Sequence, residues 1–170
     1  MITRERIYLV IGTAFGLGLA PLAPGSFGAL LGVAYHVAVA QNLPPSYELA
    51  ALIVGLLLVC AANNLLTPWA VRYWKDKDPR HFVLDEVAGY LVVPIVFRHH
   101  VLWQVALWGF LLFRIFDIIK IPPARQIDRD MHGAWGILLD DIVSGVYAAL
   151  VLYGLRALSP NLGIEAWLTP

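Results

Sequence analysis

Charge is scarce in this chain. Only 14% of its 170 residues are Asp, Glu, Lys or Arg, and 59% are hydrophobic, so the balance lies well outside that of ordinary soluble domains. Together with a mean hydropathy of +0.70, this places the chain in a bilayer. The few charges also cancel. Twelve basic and twelve acidic residues give a formal net charge of zero, which leaves no overall basic field and no basis for nucleic-acid binding. Cysteine is nearly missing too. Cys60 stands alone in an apolar run, so an intramolecular disulfide is excluded and no second thiolate exists for a cysteine metal site. Internal repeats, low-complexity tracts and linker-like stretches are absent, and residues 1–170 are expected to form one domain.

Long apolar runs are what the chain does have. Leu49 to Val71 carries no charge and matches the ~20 residues that a bilayer core requires, which makes it the firmest transmembrane helix. Phe27 to Leu43 is a second candidate. Val87 to Phe97 and Val101 to Phe113 flank Arg98-His99-His100 and predict a helical hairpin, and a last span starts within Ile142 to Leu155. Arg4 and Arg6 precede Ile7 to Ala20 as in a signal peptide, yet another apolar run follows almost at once instead of a hydrophilic mature chain. That first run is expected to be an interfacial or partly buried helix. The expected fold is therefore all-α, a polytopic helical membrane protein of about four to five spans. Arg72, Lys75, Lys77 and Arg80 follow the firmest span, and Arg114, Lys120, Arg125 and Arg129 follow the hairpin. By the positive-inside tendency both segments face the cytoplasm.

Three polar clusters interrupt this apolar chain: Asp85-Glu86-Val87-Ala88-Gly89, Phe113 to Lys120, and Gly136 to Gly145. Ionisable groups beside apolar spans cost several kcal/mol unless they are paired, hydrated or metal-bound, so they point to function. With the expected topology all three fall at the cytoplasmic ends of spans, as does the Pro21 to Ser26 turn. Gly89 lies one helical turn from Asp85, on the same face, and permits close backbone approach there by a neighbouring helix or a phosphate. Arg114, Asp117 and Lys120 recur at steps of three along one stripe, a pattern that also suits a plain ion-pair ladder. Asp140 and Asp141 are adjacent acids at the mouth of an apolar helix, most easily tolerated beside a divalent or other cation. Pro24, Gly25 and Ser26 open a helix whose N–H groups and hydroxyl suit a phosphate, although such turns also begin ordinary helices. Arg125, Arg129 and His132, after Pro122-Pro123, read as a basic loop that attracts headgroups.

In order along the chain, Pro24-Gly25-Ser26-x-Gly28, Asp85-Glu86-x-x-Gly89, Phe113-Arg114-x-x-Asp117-x-x-Lys120 and Gly136-Ile137-x-x-Asp140-Asp141-x-x-x-Gly145 resemble the motifs of the phosphatidylglycerophosphatase A family. The resemblance covers nearly the whole chain, with two departures: Ile121 stands where a proline is common, and Ala134 where a second glycine often follows Gly133. It implies a Mg²⁺-dependent, multi-pass enzyme of the bacterial inner membrane that faces the cytoplasm. Such an enzyme hydrolyses phosphatidylglycerophosphate to phosphatidylglycerol and inorganic phosphate in phospholipid biosynthesis. Asp85, Glu86, Asp117, Asp140 and Asp141 are then the candidate metal ligands and, with Lys120, the catalytic set. Pro24, Gly25, Ser26, Arg114 and Lys120 are the candidate substrate-binding residues.

Phosphate monoesters hydrolyse very slowly without catalysis, so charge neutralisation and alignment of a nucleophile must supply most of the acceleration. A cysteine phosphatase needs Cys-x5-Arg, but Leu66 stands six residues past Cys60. Metal-activated water is the simplest expectation, with one carboxylate available as general base. The competing class is a small ion-coupled membrane transporter that uses the same acids. Acids at helix ends rather than mid-span, and the missing repeat symmetry, count against it.

Overall fold

A computed structural model describes residues 2–98 and 101–162, and every regular element among them is helical. The helices are α1 (Ile2–Gly12), α2 (Pro24–Asn42), α3 (Pro45–Trp74), α4 (Leu84–Val96), α5 (Leu102–Ile119), α6 (Ala124–Asp130) and α7 (Ala134–Leu162), with a 3₁₀ turn at Leu17–Leu19. His99 and His100, in the expected hairpin turn, lie outside the described residues.

Among the described residues three helices are long and apolar enough to cross a bilayer: α3, α5 and α7 over Ala134–Leu158. Helix α3 exposes Leu57, Leu58 and Leu65, as a lipid-facing surface does. At one end of it Trp69 stacks on Tyr73 with ring centroids 5.0 Å apart, and Trp74 meets Trp69 edge-on. Such amphipathic rings suit the headgroup level.

Helix α4 is different. Its 13 residues span only about 20 Å at the α-helical rise, yet it is apolar on every side. The reason is enclosure by protein: α2, α3, α5 and α7 all pack against it, and Leu84, Asp85 and Val87 through Pro94 are all buried. A helix hydrophobic all round is a core helix here, not a lipid-facing one.

Glycines let the neighbours approach. A Cβ on Gly28 would stand 2.6 Å from Val83 Cβ, and one on Gly32 3.1 Å from Val87 O, so α2 meets the start of α4 through a small-residue stripe. On the other side Gly89 of α4 faces Asp141 O, and Gly145 of α7 faces Gly89 O. Helices α4 and α7 thus run side by side in the same direction, with Asp85 level with Asp141 four residues before each glycine.

The N-terminal helix differs from the one expected over residues 7–20. It begins at Ile2 and stops at Gly12, where Thr13 Oγ1 donates back to Leu9 O at 2.7 Å. Ala14, Phe15 and Gly16 then take positive φ, a reversal that Gly16 tolerates readily. The chain folds onto the α3–α4 connection, where Val83 N donates to Gly12 O at 3.0 Å. Residues 124–130, expected as loop, form the short helix α6.

Candidate active site

The first turn of α4 carries Asp85 and Glu86, a placement that the helix dipole favours. The dipole does not explain their surroundings. Ligand oxygens of Asp85, Glu86 and Asp141 all lie within 4.8 Å of one another, and Asp141 also sits within hydrogen-bonding reach of Asp117 from α5. Asp85 and Asp141 are buried. Like charges this close repel strongly in a medium of low dielectric constant.

Two cations flank the group. Arg114 pairs with Asp117, and a Cβ on Gly25 would stand 3.1 Å from Arg114 Nη1 and would also strike Glu86. The Pro-Gly-Ser turn is therefore pressed against the acids, and only glycine fits there. Lys120, at the C-terminus of α5 with φ 50°, donates from Nζ to Asp128 Oδ1 and to Asp140 Oδ2, both at 2.7 Å. Burial works against its charge, but the Asp128 and Asp140 carboxylates outweigh that and hold the Lys120 proton above the ordinary lysine value.

The five acids expected to converge thus fall into two adjoining sets. Asp85, Glu86 and Asp141 form the tight one. Asp117 and Asp140 each have an oxygen engaged by a cation, Arg114 and Lys120 respectively. The tight set fits a hard divalent ion on two grounds: its donors are all carboxylate oxygens, and Asp85 Oδ1 and Glu86 Oε2 are buried without a hydrogen-bond partner. Buried oxygens are rarely left so. Asp140 Oδ1 is a further orphan beside Lys120.

Ser26 is half-buried in the first turn of α2, while its N–H donates to Ala23 O at 2.9 Å. Arg125 and Arg129 are exposed, and Arg129 pairs with Asp130. At the two departures, Gly133 keeps a φ of 76° and Ala134 begins α7, its carbonyl accepting from Asn63 Nδ2 at 3.2 Å. Ile121 is exposed beside Lys120.

Sequence reasoning missed Asp128. No spacing rule ties it to Lys120 eight positions earlier across a Pro-Pro turn. An Asp-x-Asp motif, the type that includes aspartyl nucleophiles, was expected to be absent, but the chain has two such triplets, Asp76-Lys77-Asp78 and Asp128-Arg129-Asp130. All four of these acids are exposed and none belongs to the tight carboxylate set.

The fold and the site define a helical membrane protein whose bundle holds, at one end, a buried carboxylate cluster ready for a divalent cation and flanked by Arg114 and Lys120. A phosphatidylglycerophosphatase A sequence profile matches residues 10–156. A Bacteroides thetaiotaomicron protein named "Putative phosphatidylinositol-3-phosphatase" is 36% identical over 153 residues, covering 85% of this chain and 90% of that protein. Phosphatidylglycerophosphatase A of Escherichia coli is 35% identical over 147 residues, covering 85% of this chain and 80% of that protein. The Haemophilus influenzae phosphatidylglycerophosphatase A is 30% identical, covering 86% and 87%. No solved structure matches. The chain belongs to the phosphatidylglycerophosphatase A family, and with it to the phosphoric monoester hydrolases.

Proposed function

We propose that this protein hydrolyses the terminal phosphate monoester of phosphatidylglycerophosphate in a Mg²⁺-dependent reaction, giving phosphatidylglycerol and inorganic phosphate in phospholipid biosynthesis. In this proposal residues 1–170 act as one domain in a bacterial inner membrane, with the site facing the cytoplasm. Helix α2 crosses with the three long helices, and α4, enclosed among them, reaches through only part of the hydrocarbon core. Together these make the expected four to five spans, and α1 lies at the interface. The observation that carries the function is the convergence of Asp85, Glu86 and Asp141 within 4.8 Å in a member of this family.

Asp85, Glu86 and Asp141 would hold the ion, with Asp117 and Asp140 next to them. When bound, Mg²⁺ supplies charge neutralisation and a water more easily deprotonated than bulk water. The chain's own residues do the rest. Arg114 offers a planar fork and Lys120 a compact charge to the phosphate oxygens. Asp117 orients Arg114, and Asp140 with Asp128 orients Lys120. A carboxylate of the cluster takes the proton of the attacking water. Gly25 brings the start of α2 against the site without a side chain in the way.

Detergent-solubilised protein is expected to release phosphate from phosphatidylglycerophosphate with Mg²⁺ and to stop with EDTA. Asp85→Asn and Asp141→Asn are each expected to lower turnover by at least about two orders of magnitude, the scale of losing a key electrostatic contributor, while staying folded. Unchanged turnover in Asp141→Asn would remove the metal assignment. Because one relative carries a phosphatidylinositol-3-phosphatase name, phosphatidylinositol 3-phosphate belongs in the same assay, and faster release from it would reassign the substrate. Cation flux in liposomes with no phosphate release would favour the transporter alternative.

A further inference from the structure

A lipid-facing groove runs away from the cationic side of the site. It lies between α5 and α7, is walled by Phe116, Ile121, Tyr147, Leu150 and Val151, and holds about 320 Å³. Its head is fixed to the site's own backbone: Ile121 follows Lys120, Phe116 lies one turn before it, and the Tyr147 hydroxyl donates to Pro122 O at 2.7 Å. Helix α7 then carries the groove inward, with Val151 about 16 Å along the axis from Asp140 by the helical rise. On the other side of Lys120 opens a polar recess of about 490 Å³ that Lys77, Asp78, Asp128, Arg129 and His132 border. A charged recess, the Asp140 carboxylate that adjoins the tight acidic set, and an apolar groove therefore meet at Lys120. An amphiphile with a charged head and a hydrocarbon tail needs that sequence of surfaces.

We propose that the α5–α7 groove seats an acyl chain of the substrate, so that Leu150 and Val151 make the enzyme favour diacyl lipid over water-soluble phosphate monoesters. This rests on the lipid-phosphatase function above. A second groove of about 680 Å³ lies between α2 and α5. It is larger, but none of its lining residues adjoins Lys120 or the acids, and Gln41 and Val101 place part of it at the opposite ends of those helices.

The test compares kcat/KM for diacyl phosphatidylglycerophosphate in mixed micelles with that for the deacylated headgroup, in wild type and in Leu150→Trp. Leu150 is 54% exposed, so a larger side chain fills the groove rather than the core. The expected result is a fall of roughly tenfold in the diacyl-to-deacylated ratio, carried by KM for the diacyl substrate, with kcat on the deacylated one unchanged. Leu150→Ala, which only removes contacts, is expected to lower the ratio about threefold and serves if the tryptophan variant does not fold. Leu30→Trp, in the second groove, is expected to leave the ratio alone. An unchanged ratio in both Leu150 variants, or a ratio moved by Leu30→Trp instead, overturns the assignment of the groove while the phosphatase function stands. A wild type that hydrolyses neither substrate overturns both.

Discussion

Lys120 and Arg114 are both cations beside carboxylates, yet their settings differ. Lys120 bridges an exposed acid, Asp128, and a buried one, Asp140, and stays open to a polar recess. Arg114 is more enclosed, and its Nε is buried without a partner. Lys120→Met is therefore expected to cut turnover strongly and to lower thermal stability modestly, since Asp140 loses its counter-charge. Asp128→Asn, which leaves the Asp140 contact in place, should cost far less of both. Arg114→Met is expected to damage folding and turnover together. Near-normal phosphate release by Lys120→Met with a reduced Tm would make Lys120 a structural ion pair and remove its phosphate role. The stripe Arg114, Asp117, Lys120 was legible in the sequence, but its use was not. The three residues do not pair along the helix as a simple ladder; Lys120 turns away to acids of α6 and α7.

At the scale of elements, the contact of α4 with α7 decides whether Asp85 and Asp141 meet. A Cβ at Gly89 would come within 2.5 Å of Phe113 Cε2 and 2.8 Å of Asp141 O, and the latter is helix backbone that cannot step aside. Gly89→Ala is expected to destabilise by about 1–3 kcal/mol, as overpacking does, and to lower turnover because the helices separate. Gly154, on the same α7, has nothing within 4 Å of its Cβ position, so Gly154→Ala should be neutral or stabilise by up to about 1 kcal/mol through helix propensity. Thermal melts of the two variants in one detergent check both expectations. Equal melting temperatures for wild type and Gly89→Ala would mean that the two helices have room to spare.

For the whole molecule, α3 sets the orientation. Its 30 residues span about 45 Å, so the connections at its two ends lie on opposite sides of a bilayer. Ser46 and Asp76 are exposed at those ends. In a Cys60→Ser background, Asp76→Cys is expected to react with a membrane-impermeant maleimide only after the membrane is opened, and Ser46→Cys before. The reverse pattern would put the acidic cluster on the outer side.

The sequence by itself determined the helical class, the membrane setting, the family and the identity of the acids. Each of these follows from composition, apolar run length or ordered motifs, which are properties of residues and their local spacing. It also placed α2 and α3 closely, because long uncharged runs leave little choice, whereas α5 runs on past the expected Phe113 to Ile119. Only the tertiary structure decided the rest. The short apolar run Val87 to Phe97 looks the same whether lipid or protein covers it, and α4 proved to be covered by four helices. A first run that reads as one helix was broken where Gly16 allowed a reversal and Val83 supplied a partner for Gly12. The division of five acids into a tight three and a cation-bound two arose from side-by-side helices held at glycine distance, and side-chain direction across such a contact is set by packing, not by position in the chain.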